Sequence, residues 1–322
     1  AQAGDPDRAA FHKEVGGEAL WKAADIHFQD GQPEQGLARY DAFFPAYAGT
    51  HFEPQMAIHA IEALEAANRG EEALANAEKA IIALGSRPPE RQDVLLLRQV
   101  LGSYSEASVR IRDMEKTVAT LANFPGADPA DQALQTWLKI QQVIVLQDAQ
   151  KKTTKDTPEH VAFEPRITAI FEDLRQFEKR ELTEFALQQI GLYFAGTDNP
   201  FLGVPYFEEL LARTTPEAET FKGPAEMELG KIEMRAADPA KVQSARARFQ
   251  RIIDDGSDDA RPLKAQAYLN LADLHMRNKE WREALAALDA INKNKDYFSK
   301  ERAKRAEATF KLGFVYDQLG NP

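Results

Sequence analysis

Cysteine is absent from this chain of 322 residues. Disulfides, thiolate metal ligation and thiol catalysis are therefore excluded. The absence assigns no compartment, because chains without cysteine suit both reducing and oxidising surroundings. Long apolar runs are missing as well. The mid-chain block Val143–Leu146 is four residues long, far short of the roughly 18 that a membrane helix needs. Clustered positive charge is missing too. The chain carries 51 acidic and 40 basic residues, a formal net charge of −11, and no basic run exceeds the two residues of Lys151-Lys152 or Lys179-Arg180. Phosphate backbones and anionic membrane surfaces select clustered Lys and Arg, so nucleic acid is not an expected partner and peptide surfaces are. Strand signals are scarce, with no long alternating Val/Ile/Thr run and no Asn-Gly hairpin turn.

Signatures of chemistry are also lacking. The six histidines, at 12, 27, 51, 59, 160 and 275, form no His-x-x-x-His or His-Glu-x-x-His zinc pattern. There is no glycine-rich phosphate loop and no Gly-x-Ser-x-Gly elbow. Gly16-Gly17 reads as a helix-start or loop feature. Asp254-Asp255 and Asp258-Asp259 flank Gly256, but without the spacing of a helix–loop–helix calcium site, so a solvated loop is expected there. The expectation is a protein that is not an enzyme and needs neither cofactor nor metal.

What is present is helical periodicity. The hydrophobic fraction of 43% and charged fraction of 28% are those of a folded chain. The helices come in pairs separated by breakers: Asp30-Gly31-Gln32-Pro33, Asn68-Arg69-Gly70 and Arg277-Asn278-Lys279 within pairs. Pro45, Pro54, Pro88-Pro89, Pro125-Gly126, Pro216 and Pro262 punctuate the intervals between pairs. Tyr268, Leu271, Ala272 and His275 share a face of one helix, and Ala284, Leu288 and Ile291 a face of the next. The same intervals give Leu20, Ala23, Ala24, His27, then Gly36, Tyr40, Phe43; and Ala57, Ala60, Ile61, Leu64, then Ala73, Ala77, Ala80. They recur at Leu187, Ile190, Gly191, Phe194, then Gly203, Phe207, Leu210. Leu229, Gly230 and Glu233, then Ala245, Phe249 and Ile252, repeat them with about three extra residues in the turn around Ala237-Asp238-Pro239. The small positions let two antiparallel helices approach, and the large ones fill the groove beside them.

This pattern resembles the tetratricopeptide repeat family, and Gly70-Glu71-Glu72-Ala73-Leu74 looks like that family's inter-helix turn. The spacing of the units exceeds the family's minimal period of about 34. The resemblance implies an all-α fold, an α-solenoid (a right-handed superhelix) of about seven helix pairs plus a terminal half-repeat. It divides at residues 1–150 and 151–322, two runs of repeats expected to form one continuous solenoid. It also implies a non-catalytic scaffold that holds a protein or extended peptide on the inner surface of its first helices. Carried over by position, that surface comprises Trp21, Asp25 and Phe28; Gln188 and Leu192; Lys231, Met234 and Arg235; and Leu269, Asp273, Met276 and Arg277. Met234-Arg235 and Met276-Arg277 are equivalent, and a polarizable apolar contact beside a positive charge suits a peptide carrying acidic groups.

The stretch from Glu90 to Arg180 is harder to read. Arg91–Gly102 and Ser105–Asn123 are expected to pair, Ala130–Ala149 to form a long helix carrying Trp137, Ile140, Ile144 and Leu146, and Thr157-Pro158 to open another. Pro165 should end or kink that helix, and Phe163, Ile167, Ile170, Phe171, Leu174 and Phe177 form a core stripe. At the far end, Thr309, Leu312, Gly313 and Tyr316 match a first helix and Leu319–Pro322 a turn, which leads to the expectation of a fragment whose native chain continues. Ala1-Gln2-Ala3 fits the residues beside a signal-peptide cleavage site and equally an arbitrary boundary. Phe124-Pro125-Gly126 and Tyr206–Leu211 resemble long-repeat bacterial envelope assembly proteins. Together these favour a periplasmic or outer-membrane-peripheral location, with the cytoplasm as the alternative. Two other functional readings stay open: a helical regulatory part of a larger enzyme such as a cell-wall hydrolase, and an architectural module that assembles with itself.

Overall fold

The computed structural model describes residues 6–47, 52–87, 93–257, 261–294 and 296–320; the side chains of residues 6–10 and 261 are not described. Pro88-Pro89, His51 and Asp258-Asp259 therefore lie outside the described residues. The chain is all-helical, with no strand among the described residues, and it divides into two compact units, Ala1–Leu182 and Thr183–Pro322.

The first unit contains α1 (Pro6–Gln29), α2 (Pro33–Ala46), α3 (Glu53–Ala66), α4 (Gly70–Gly85), α5 (Val94–Arg112), α6 (Met114–Ala122), α7 (Gln132–Lys151), α8 (Pro158–Val161) and α9 (Phe163–Leu174). Neighbours pack in succession: α1 on α2, α3 on α4, α5 on α6 and α7 on α9. The second unit contains α10 (Glu184–Ala195), α11 (Val204–Ala212), α12 (Pro216–Glu233), α13 (Pro239–Asp254), α14 (Arg261–Arg277), α15 (Trp281–Lys293) and α16 (Arg302–Gln318). Here α10 packs on α11, α12 on α13, α14 on α15 and α15 on α16, while α10 also touches α12, and α12 touches α14.

Three of the turns between paired helices are closed the same way. Gly31, Asn68 and Lys279 take φ of 70°, 59° and 60°, the left-handed conformation that ends a helix. The next residue then donates its N–H five residues back: Gln32 to the His27 carbonyl at 2.7 Å, Arg69 to Leu64 at 2.7 Å and Glu280 to His275 at 2.9 Å. Each bond satisfies a carbonyl that the helix end would otherwise leave unpaired. Among the described residues, Asp93, Asp113, Asp131, Thr157, Thr183 and Thr215 each cap a helix by accepting the N–H three residues on.

Between the helices, small residues seat large ones. A Cβ on Gly191 would stand 2.8 Å from the Phe207 ring, and one on Gly230 would stand 2.6 Å from the Phe249 ring. Ala24, Ala272 and Ala284 are fully buried. The small–large–large positions of the second helices are buried throughout: Gly36, Tyr40, Phe43; Ala245, Phe249, Ile252; Ala284, Leu288, Ile291. Glu233, a polar residue where other units place an aromatic or Leu, accepts from Arg248 Nε at 2.9 Å. The longer turn after α12 runs through Met234–Ala237 to Asp238, whose side chain accepts from the Ala240 N–H at 2.9 Å.

Three expectations are corrected. Gly16-Gly17 lies inside α1, because a Cβ at Gly16 would meet the Tyr47 hydroxyl at 2.5 Å: the glycine makes room for that ring. The helix α5 runs unbroken through Gly102 and Ser105 and stops only at Asp113, which takes φ of 77° and caps α6. Pro45 lies in the last turn of α2 rather than between pairs. By contrast, the helix that Thr157-Pro158 opens does end before Pro165: α8 stops at Val161, whose carbonyl Pro165 has no N–H to serve, and α9 restarts with Pro165 in its first turn.

Candidate functional site

The residues assigned to the first-helix face meet different fates. In the first unit, Trp21 is half-buried, 6.2 Å from the Phe52 ring and 5.4 Å from His59, with its indole N–H buried without an acceptor. Asp25 is exposed and accepts from Gln29 Nε2 at 2.9 Å. Its charge, second to burial, helps push the Tyr40 phenol up to about 12. Phe28 faces its own partner helix instead of an open surface: it stacks on Tyr40 at 5.4 Å and covers Gly36, where a Cβ would stand 2.5 Å from its ring.

In the second unit, Gln188 is half-buried and Leu192 is exposed on α10. Leu269 belongs to the core of α12–α16, so it presents no open surface. Of the remaining positions, one on α12 and one on α14 are joined directly. Arg277 Nη1 donates to the Met234 carbonyl at 2.5 Å, tying the C-terminal end of α14 to that of α12. A guanidinium there satisfies a helix-end carbonyl and meets the negative end of the α12 dipole. Met234 and Met276 are half-buried, both packed against the core, and Arg235 is exposed beside them. Lys231 Nζ lies 2.6 Å from Glu228. Asp273 lies 2.5 Å from Lys311 Nζ of α16, and Glu307 lies 2.6 Å from the same ammonium. Burial works against the charged form of Lys311, but these two carboxylates outweigh it and raise its pKa.

The structure thus brings Lys231, Met234, Arg235, Asp273, Met276 and Arg277 to neighbouring helices, and leaves Trp21, Asp25 and Phe28 in the other unit. Phe310 and Phe314 escaped the sequence assignment of this face. They occupy on α16 the register of Leu269 and Asp273 on α14, a register that follows from the match of Thr309, Leu312, Gly313 and Tyr316 to a first helix. Among the described residues, no three His, Asp or Glu side chains gather as they would to hold a metal ion, and no helix is long and apolar enough to cross a membrane. The chain matches no protein-family model and no curated protein.

Proposed function

We propose that this protein is a non-catalytic scaffold whose second unit holds an extended, acidic peptide segment of a protein partner along α12 and α14. The observation that supports this reading is the Arg277–Met234 link. It sets two equivalent Met-Arg pairs side by side, so an apolar contact and a positive charge recur from one helix to the next. Thioether side chains adapt to varied apolar groups, and Arg235 offers a planar fork for a carboxylate. Arg277 holds the two helices in register while its own charge stays at the surface.

The test is selection from a display library of random short peptides, followed by fluorescence anisotropy on the selected sequences. Enrichment of acidic peptides, weakened about tenfold by Arg235→Glu and by Met276→Ser, is the expected result. Failure to enrich any sequence, or unchanged affinity in both variants with unchanged thermal melts, overturns the proposal. Arg277→Glu is the poorer variant, because it also breaks the bond to α12.

A further inference from the structure

The Met-Arg pair occurs on two successive first helices and stops there. Gly191, Gly230, Ala272 and Gly313 hold one register position on α10, α12, α14 and α16. Four residues beyond it stand Ala195, Met234, Met276 and Asp317, and one residue further stand Gly196, Arg235, Arg277 and Gln318. At this level α10 and α16 therefore offer neither a thioether nor a guanidinium. The charges one turn earlier are already matched. Lys231 lies 2.6 Å from Glu228, and Lys311 lies 2.5 Å from Asp273 and 2.6 Å from Glu307. Arg235 and Arg277 differ from these lysines. Both are exposed, and among the described residues neither guanidinium pairs with a carboxylate.

Resting on the reading of α12 and α14 as a peptide site, we propose that its ligand is a polyproline-II segment carrying two apolar–acidic residue pairs three residues apart. The step between the two Met-Arg pairs sets that spacing. Packed helices lie about 8–10 Å apart, and α12 and α14 are in contact, joined by Arg277 and the Met234 carbonyl. A polyproline-II chain completes a turn in three residues and advances about 9.3 Å. Residues three apart thus face the same side and meet Met234 and Met276 in turn. A β-strand fails on both counts. Three of its residues advance about 10 Å but project to opposite faces, and two share a face but advance only about 6.6 Å. Strand addition also needs a sheet edge, and no strand exists among the described residues. A polyproline-II backbone needs no such edge, because water solvates it. The two acidic residues complement Arg235 and Arg277, and the preformed shape of the segment lowers the entropy lost on binding.

The test uses the whole chain and three labelled heptapeptides of one composition, read by fluorescence anisotropy. Their Leu-Asp pairs stand two, three or four residues apart: Pro-Pro-Leu-Asp-Leu-Asp-Pro, Pro-Leu-Asp-Pro-Leu-Asp-Pro and Pro-Leu-Asp-Pro-Pro-Leu-Asp. The peptide with pairs three apart should bind at least about tenfold tighter than the other two. Met234→Ser and Met276→Ser should each abolish that preference, with unchanged thermal melts verifying that the variants fold. Equal affinity for the three peptides, preference for another spacing, or a preference that survives both substitutions overturns this inference and leaves the acidic-peptide reading standing. So does binding of library-selected acidic peptides when none of the three heptapeptides binds. If no acidic peptide of any kind binds, that reading fails and this inference fails with it.

Discussion

His275 Nδ1 lies 2.6 Å from Glu280 Oε2 across the turn between α14 and α15, at the place where His27 Nδ1 lies 3.0 Å from Gln32 Oε1 across the turn between α1 and α2. In both turns the second residue also donates its backbone N–H to the histidine carbonyl. One pair therefore closes the turn through main chain and side chain at once. Arg246 of α13 adds a third hold on the Glu280 carboxylate at 2.6 Å.

This arrangement has a pH consequence. The Arg246 hydrogen bond, and after it that of His275, keeps the Glu280 carboxyl below its ordinary range against the opposing effect of burial. Arg110 and Arg112 do the same for Glu65 and Glu71 in the first unit. A carboxylate whose folded pKa is depressed stabilises the fold above its unfolded pKa and loses that contribution as pH falls through the folded value. The midpoint of thermal unfolding should hold from neutral pH to about 5 and then fall as pH drops below the usual carboxylate range near 4. Glu280→Gln should have a lower midpoint at neutral pH and a shallower acid limb. Parallel acid limbs in the two proteins would refute the assignment.

The left-handed turn positions make a second prediction. Lys279 takes φ of 60°, which costs a side-chain-bearing residue about 1–2 kcal/mol. Glycine removes that strain but adds about 0.5–1 kcal/mol of unfolded-chain entropy. Lys279→Gly should therefore stabilise by roughly 0.5–1 kcal/mol. Gly31→Ala, with φ of 70°, should destabilise by about 1 kcal/mol. Thermal melts followed by circular dichroism distinguish the two signs.

Much of the second unit was legible because small residues have few reasons to recur at fixed intervals within helices. Gly191, Gly230, Ala272 and Ala284 recur because a neighbour must come close. The turns were legible because Gly31 and Asn68 tolerate positive φ, whereas Lys279 gives no such signal. The middle was less legible because one of its break signals misleads. Gly102 and Ser105 suggest a break, but the helix ends where Asp113 turns left-handed and offers a cap, and a cap competes with no alternative inside α5. The candidate face was only partly legible. Spacing placed Phe28 and Leu269 on it, but side-chain size decided otherwise. The Phe28 ring turns onto Gly36, and Leu269 is drawn into the core, so both follow packing instead of register.

Packing makes the third prediction. Ala284 is fully buried on α15, which packs against α14. Ala284→Leu should overpack the core there and cost about 1–3 kcal/mol. Leu271 is buried in the same core, and Leu271→Ala should leave a cavity costing about 2–5 kcal/mol. Urea denaturation with unchanged slopes measures both, and midpoints equal to the parent protein's would refute this helix register.

The sharpest contrast lies between two glycines of one register. On Gly230, alanine would place its Cβ 2.6 Å from Phe249, a ring that is fully buried. Overpacking of about 1–3 kcal/mol opposes a helix-propensity gain of about 1 kcal/mol, and the burial of the ring favours the larger cost, so Gly230→Ala should destabilise by about 1–2 kcal/mol. Trimming the ring should relieve the clash: in the Gly230→Ala, Phe249→Leu double variant the two losses should sum to less than their separate values, the coupling expected of residues in contact. On Gly313 nothing opposes the added methyl group. Gly313→Ala should therefore stabilise the isolated chain by about 0.5–1 kcal/mol through helix propensity alone. Opposite signs at these two positions would show that the repeat places glycine for close approach at one site and leaves that approach unfilled at the other. Equal losses at both would mean that Gly313 is already covered.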